Sequence, residues 1–534
     1  MDSEETTSQG EYVSTAPQTS ALKTGGDIGG SEVKSPKSDA KSQRKAQRKA
    51  HPWRDNIEAV AISIVTIVLF KYFVLEAYKI PTGSMQPTLM GNAETGIYDR
   101  VIVDKFSYHF RDPERFEIAV FKYPLDSSKN FIKRLVGMPG ERLYIQGGDL
   151  FVQPKGEEPR VLRRPRPIQD AQLRRIETRG DWEGQKNPAG WNVEGDEEGD
   201  TLRTRGSGAM GFPGKFDSIR DGYLDGYPLG VKSKISEKGK GSRDNDVSDL
   251  RVAAEVEVEA GVRGVTVVLH EGDRRFRFTL TGPAGDGSIP AITATGHGID
   301  DMLTSSETAT ALKAGESIDL EVQNLNDLLE LRIDGDLVAS LEIPAAVSQR
   351  VATHEAASRV MLEVDANDDA GAELEEIRIW RDIFYTTARG QSPVTDWQIP
   401  EDSYLVLGDN SQDSSDGRDW SLAQFQLMEE TTPEGGPVVV RGNAREISPV
   451  RTSSGQIVPH PESNPKYVPA QASPKQIFFR DERGELHVMD AATTERLPNE
   501  SFSFVPRDLI RGRAVLVVWP LAPQHDVYRL KWVR

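Results

Sequence analysis

The hydrophobic positions of the chain fall into three regimes. Residues 1–54 are rich in Ser, Thr, Gly and Lys with almost no aliphatic clusters, a composition unable to offset its ordering entropy, and a disordered tail is predicted there. Ile57–Leu75 then reads IEAVAISIVTIVLFKYFVL, in which the fourteen residues from Ile57 to Phe70 carry one charge, Glu58. As a helix it spans roughly 28 Å, close to a hydrocarbon core of about 30 Å, so a membrane helix is predicted over 55–76. Lys71 sits near one end, where its stem can snorkel towards headgroups. A buried helix of a soluble domain is the plainer alternative. A cleavable signal peptide conflicts with the long preceding tail and with the absence of an A-x-A pattern after the apolar run. Beyond this segment the pattern changes to short alternating runs bounded by Gly, Pro and Asp: Arg100–Lys105, Ile118–Tyr123, Phe131–Val136, Tyr404–Leu407 and Ala514–Trp519. These predict strands, and no second apolar span of membrane length appears.

A block over 175–387 has its own strand rhythm. Its clearest runs are Arg251–Glu259, Val265–Leu269, Arg275–Leu280, Ser317–Val322, Leu328–Ile333, Leu337–Ile343, Val360–Val364 and Glu375–Trp380, with Asp334-Gly335 as a hairpin turn between two of them. About eight antiparallel strands predict a two-sheet, jelly-roll-like sandwich. A further segment, 421–500, is rich in Pro, Thr and Glu with short strand-like patches such as Gln476–Arg480. The expected fold is therefore mainly β: one membrane helix, a β-rich domain divided into 77–150, 400–420 and 501–534, and insertions at 175–387 and 421–500.

Charge and composition narrow the chemistry. The 534 residues include 65 Lys+Arg, 83 Asp+Glu and no cysteine, for a net charge of −18. Thiol nucleophiles, disulfides, iron–sulfur clusters and Cys-ligated zinc are excluded. The acidity argues against nucleic acid as a partner. It is unevenly spread: up to Arg54 there are nine Lys/Arg and seven acids. Eight of those bases lie between Val33 and Arg54, which places the N-terminus in the cytoplasm and the remainder outside.

Three stretches could carry chemistry. Ile80-Pro-Thr-Gly-Ser84-Met-Gln-Pro-Thr-Leu89 follows the apolar segment, so Ser84 lies within about 30 Å of Leu75 even in an extended chain. A serine nucleophile needs a base, yet the eight histidines show no pairing. Lys133, in Phe131-Ile132-Lys133-Arg134-Leu135-Val136, offers another base. In a strand it shares a face with Phe131 and Leu135, and desolvation there lowers its pKa. A lysine tuned to about 8 is neutral roughly one time in ten at pH 7. Read by itself, the stretch is better explained as a surface strand with two basic residues. The third stretch, Gly408–Trp420 (GDNSQDSSDGRDW), fails the EF-hand spacing, with Ser414 at position six and Trp420 at position twelve. A hydrogen-bonded loop with an internal Asp416/Arg418 pair accounts for it better.

Taken in order, PTGSMQPTL, FIKRLVGMPGE and GDNSQDSSDGRDW, preceded by an apolar segment, resemble the bacterial type I signal peptidases, Ser/Lys membrane peptidases that remove signal peptides from exported proteins. YDRVIVDKFSY, AVFKYP and FVPRDLIRGRA resemble the remaining strands of that family. The likeness covers about 55–143, 404–420 and 502–520. It implies Ser84 as nucleophile, Lys133 as general base, Thr82 Oγ with the Ser84 N–H as oxyanion hole, Ser414 as the residue orienting the lysine, and Asp416/Arg418 as a structural ion pair. By the same analogy Met85 lies on the apolar, membrane-facing side or beside the P1 pocket, with Phe131 and Ile132 as further pocket residues. Expected partners are secretory preproteins, cut after Ala-X-Ala, and the lipid bilayer, with no cofactor and no metal. The expected location is the plasma membrane, single-pass, with the catalytic part external. Two departures stand out: Arg115-Phe116-Glu117 replaces the usual Arg-Gly-Asp, and Phe131 stands where Tyr is common. The 175–387 block resembles a laminin-G/concanavalin-like jelly roll, for which a glycan or a protein is the expected partner class.

Other signals carry less. Gly206–Gly211 matches GxGxxG, but Phe212-Pro213-Gly214 cannot open the helix that motif needs. The acidic runs Glu194–Asp200 and Asp365–Asp369 read as solvated loops rather than calcium sites. An envelope binding protein on an inactive peptidase scaffold and a self-cleaving Ser/Lys regulator are the competing functional classes. The latter expects a DNA-binding region where the apolar segment stands.

Overall fold

The computed structural model describes residues 52–534 except 93–94, 179–180, 186–189, 196–198, 215–217, 233–234, 236–244, 306–310, 345–357, 387–394, 445–448, 452–456, 460–475, 520 and 523–526. The tail expected over 1–54 thus lies outside the described residues apart from its last three. The chain divides into two compact units, Met1–Val68 and Leu69–Arg534.

One helix, Pro52–Phe73, carries the apolar run. Its apolar side chains from Ile57 to Leu69 are exposed at consecutive and alternating positions alike, with Ile57 at 65% and Ile67 at 66%. Among the described residues no helix is long and apolar enough to cross a membrane. The helix also stops short of the predicted 76. Leu75–Lys79 is a strand, paired antiparallel with Arg100–Asp104 from Leu75↔Asp104 to Lys79↔Arg100. A continuous apolar run cannot mark such a junction, because periodicity does not separate its last turn from a following strand.

Three distant parts of the chain interleave in one eight-stranded sheet. Its order is Leu75–Lys79, Arg100–Asp104, Ile510–Trp519, Ile118–Tyr123, Asp126–Gly137, Ser403–Leu407 and Phe504–Pro506, with Lys531–Trp532 added on Ile510–Trp519. The long strand Asp126–Gly137 pairs with Ile118–Tyr123 from Asp126 to Arg134, but with Ser403–Leu407 only over Arg134–Gly137. Among the described residues its 130–133 stretch therefore has a ladder on one side only, while Ser127 N donates to Glu482 O at 2.9 Å. Alternation splits its side chains: Leu135, with Phe131 against it, joins Phe121, Tyr123, Tyr404 and Trp420 in one core. Ile132 packs on the other face against Met85, Leu89, Val101, Val103 and Val120. A four-stranded sheet of Asp396–Gln398, Arg142–Gln146, Asp149–Gln153 and Arg160–Val161 stands beside it.

The large insertion is two antiparallel sheets around one core. The first orders Trp191–Gly195, Asp200–Arg205, Gly371–Arg381, Leu250–Val258, Ile318–Leu325, Leu328–Ile333 and Asp336–Glu342; the second orders Glu183–Gln185, Gly208–Phe212, Ser358–Ala366, Val262–Glu271, Arg274–Thr281, Ala291–Gly296 and Ile299–Ser305. Leu250–Val258 illustrates the cause, with Val252, Ala254, Val256 and Val258 buried while Glu255 and Glu257 face out. Asp334 and Gly335, both at positive φ (51° and 84°), form the expected turn, and Asn326-Asp327 (52° and 58°) makes a second turn of the same kind. Of the GxGxxG stretch, Gly206-Ser207 connects one sheet at Arg205 to the other at Gly208, and Gly208–Gly211 lies within the strand Gly208–Phe212. In the last insertion, Ser421–Thr431 pairs with Pro437–Asn443 and Thr494–Ser501, and Gln476–Arg480 pairs with Leu486–Asp490.

Candidate active site

Ser84 sits on a compact turn between Ile80 and Met90. Gln86 N donates to Gly83 O (3.0 Å) and Leu89 N to Met85 O (2.8 Å), while Arg529 donates to Pro87 O (3.1 Å), Thr88 O (3.0 Å) and both carboxylate oxygens of Asp99. Asp99 in turn accepts from Met90 N at 2.8 Å. Met85 and Leu89 are fully buried. The turn is therefore fixed from beneath by packing and from the side by a buried guanidinium.

Lys133 reaches this turn from the long strand, where it pairs with Ala119. Its Nζ donates to Ser84 Oγ, and only 3% of the residue is exposed. Burial pushes its pKa from 10.5 down to about 8; the carboxylates of Asp416 and Asp419 oppose that fall and the Arg418 guanidinium adds to it. Nζ also lies 5.9 Å from the centre of the Phe131 ring. Phe131 stacks on Tyr123 at 4.2 Å and meets Trp420 edge-on. An aromatic ring suffices for this packing.

The 408–418 loop closes the other side. Asp416 accepts Arg418 Nε and Nη2, both at 2.8 Å, and Gly408 N at 2.8 Å. Burial would raise the Asp416 pKa, but Arg418 and these hydrogen bonds hold it below the usual carboxylate value. Asn410 Nδ2 donates to Gly83 O (3.0 Å) and Asn410 N to Ser84 O (3.1 Å). Gly408 has to be glycine: a Cβ there would lie inside 3.0 Å of both Ser84 O and Ser414 Oγ. Gly91 holds the opposite end of the turn in the same manner, since a Cβ there would meet the backbone of Thr82 and Ile80 inside 3.0 Å. Thr82 itself is exposed, two residues before Ser84.

Two expectations need correction. Ser414 does not hydrogen-bond Lys133; its Oγ is buried without a hydrogen-bond partner among the described residues, crowded with Ser84 O into the space that Gly408 leaves open. Met85 is not on an outward apolar surface, because it is enclosed in the core beside Ile132, while Phe131 occupies the opposite face of its strand. The three anticipated pocket residues thus fall into two separate clusters.

Sequence reasoning also missed a buried pair. Arg134 donates to Asp409 through Nε (2.8 Å) and Nη2 (2.7 Å), each side chain 1% exposed, and Thr88 Oγ1 donates to the same carboxylate at 2.6 Å. Asp409 thereby ties the strand of Lys133 to the turn of Ser84. Asp409→Asn is expected to lower stability by on the order of 3 kcal/mol, since it leaves a buried guanidinium half-compensated; urea unfolding monitored by fluorescence measures this. The Arg115-Phe116-Glu117 departure is also explained. Phe116 takes φ 71°, the left-handed conformation that glycine adopts freely, and its ring is buried beside Val136 and Leu143. Packing offsets the backbone cost.

Residues 53–194 match the family model described as signal peptidase, peptidase S26. The chain carries a peptidase S26 region. It is similar to the signal peptidase I of Leptolyngbya laminosa (36% identity over 122 residues, covering 21% of this chain and 57% of that protein). It also resembles the probable signal peptidase I-2 of a Synechocystis strain (38% identity, 19% and 47%) and the signal peptidase I of Pseudomonas fluorescens (35% identity, 18% and 39%). The chain thus spans about half the length of these relatives, or less. Among solved structures, a carbohydrate-binding module, CBM66, from Bacillus subtilis aligns over 37% of this chain and 93% of its own at 11% identity and a TM-score of 0.21. The Caenorhabditis elegans galectin LEC-6 aligns over 24% and 83% at 9% identity and a TM-score of 0.17. Scores this low carry no argument about fold or ligand. In the S26 region both Ser84 and Lys133 are present and in contact.

Proposed function

We propose that the protein is a membrane-anchored serine endopeptidase that removes signal peptides from exported preproteins. The observation that carries this reading is the hydrogen bond from a buried, low-pKa Lys133 to Ser84 Oγ inside a peptidase S26 region. In the neutral form Lys133 Nζ takes the Ser84 proton as Oγ attacks the scissile carbonyl, and the ammonium then returns it to the leaving amine. The Ser84 N–H and Thr82 Oγ are the donors assigned to the oxyanion. Asp416/Arg418 and Arg134/Asp409 fix the frame around the base. An extended substrate fits the 130–133 stretch, whose second side is unfilled by the sheet among the described residues. Small residues at P1 and P3 are the specificity this implies by resemblance to the family.

The exposed apolar side chains from Ile57 to Leu69 and the basic stretch before the helix support a single-pass anchor with the peptidase part outside. Purified full-length protein is expected to cut an Ala-X-Ala precursor in lipid vesicles, with the cut site read by mass spectrometry. Intact precursor with the wild type, or unchanged cleavage by Ser84→Ala, rejects the proposal. The pKa also sets the pH profile. Lys133 works deprotonated and its pKa is lowered to about 8, so kcat/KM should rise roughly tenfold per pH unit below that value and level off above it. A rate independent of pH between 6 and 8 contradicts the assignment.

A further inference from the structure

The inserted sandwich does not hang from the peptidase part by its ends alone. Its chain enters at Arg174, 3% exposed, which pairs in register with Arg381 of the central strand Gly371–Arg381. Arg174 Nη2 donates to Asp409 O and, at 3.5 Å, to Gln86 O. Gln172, two residues earlier, donates to Asp409 Oδ1 at 3.2 Å. Arg381, 1% exposed, donates to Asp225 Oδ2 (2.6 Å) and Gly222 O (2.7 Å). That pair fixes the loop containing Tyr223 and Tyr227, and Gly226 at φ 75° lets the loop backbone pass close to Arg174.

This loop reaches the Ser84 turn directly. Tyr227 Oη donates to Gln86 Oε1 at 2.6 Å. Gln86 is 1% exposed, its amide lies against Gly83, and its N–H closes the turn onto Gly83 O. Tyr223 Oη donates to Asp413 at 3.3 Å and accepts from Asn410 Nδ2 at 3.5 Å, the same amide that binds Gly83 O. Gln412 Nε2 donates to the Asp221 carbonyl and carboxylate at 2.6 and 2.7 Å. Tyr223, Leu224, Tyr227 and Val231 share a core with Met90 and Ile97, which follow the turn. These contacts fall on residues flanking Ser84 or in the 408–418 loop; elsewhere the sandwich also bonds Asp149 through Asn326 and Arg163 through Glu342.

We infer that the inserted sandwich is a positioning element of the active site, with Tyr227 and Arg174 holding the Ser84 turn and the 408–418 loop in register. The inference rests on the Ser84/Lys133 reading. These residues do not touch the reacting atoms. They act by removing freedom from the turn that presents Ser84 Oγ to Lys133, where a displacement of about 1 Å costs on the order of a hundredfold in rate. The sandwich is accordingly not a detachable module, and its removal over 175–387 takes away Tyr223, Tyr227 and Arg381 together.

The test compares full-length wild type, Tyr227→Phe, Gln86→Met, the double variant and Arg263→Ala in precursor cleavage, with thermal melting alongside. Arg263 pairs with Asp365 on the sandwich surface away from the turn and serves as the control. Tyr227→Phe is expected to lower kcat about tenfold with KM changed less than twofold and the melting midpoint nearly kept. In the Gln86→Met background the same change is expected to cost less than twofold, because the hydroxyl has lost its acceptor. Arg263→Ala should cleave normally. Unchanged kcat in Tyr227→Phe, or equal losses with and without Gln86, overturns the inference while Ser84→Ala remains inactive. If Ser84→Ala still cleaves, the underlying reading fails and takes the inference with it. Should Tyr227→Phe melt early, Arg174→Lys, which keeps the charge and loses the fork of donors, is judged by the same kcat criterion at a temperature where it is folded.

Discussion

Lys133→Met is expected to lower kcat/KM for precursor cleavage by at least about 10⁴-fold, the scale on which a dyad member removed from a peptidase acts. The substitution keeps the length and apolar stem of the side chain but removes the amine that bonds Ser84 Oγ. It should leave the fold intact. Lys133 is 3% exposed and burial has already pushed its pKa to about 8, so replacing it with a neutral side chain of similar volume removes a desolvation cost. An equal or higher melting temperature together with lost turnover separates a chemical role from a structural one. A thermal loss matching the loss of rate would assign Lys133 to the scaffold.

The second large effect is expected at a residue with no side chain. Gly408→Ala places a methyl inside 3.0 Å of Ser84 O and Ser414 Oγ, and the backbone oxygen of Ser84 cannot withdraw cheaply. Ser84 O belongs to a turn pinned by Asn410 and Arg529, and the Gly408 N–H is held by Asp416. The Ser84 turn must shift, and cleavage should fall by about 10²-fold or more. Circular dichroism should stay close to wild type because the sheets are not touched. Normal kinetics in this variant would mean that the loop and the turn are not closely coupled.

These residues differ in how far the sequence discloses them. Ser84, Lys133, Asp416 and Arg418 can be picked out because three short stretches occur in a recognisable order, and strand alternation predicts that Lys133 and Arg134 face opposite ways. Alternation does not name a partner. Arg134 finds Asp409 275 residues away, Arg174 finds it across 235, and Tyr227 finds Gln86 across 141; such pairings are products of the fold rather than of local pattern. The sandwich was legible where Val, Ile and Leu alternate with Glu and Arg. It was not legible over Asp200–Arg205, Gly208–Phe212 and Ala291–Gly296, which are strands rich in Thr, Gly and Ala, nor at the Asn326-Asp327 turn, which lacks glycine. Met85 was ambiguous for a different reason. An apolar residue near an apolar segment suits a lipid surface and a protein core equally, and its burial follows from a cluster assembled from five separate strands and the Ser84 turn.

The central claim is that Ser84 becomes the nucleophile because Lys133 is neutral and in contact with it. Rapid-quench intact mass spectrometry of the full-length protein with a slowly turned-over Ala-X-Ala ester, followed by peptide mapping, tests that claim most directly. The account predicts an acyl adduct on the peptide containing Ser84, formed faster as pH rises towards about 8, absent in Ser84→Ala and suppressed in Lys133→Met. Cleavage that proceeds with the adduct on another residue, or at an undiminished rate in Ser84→Ala, would contradict it.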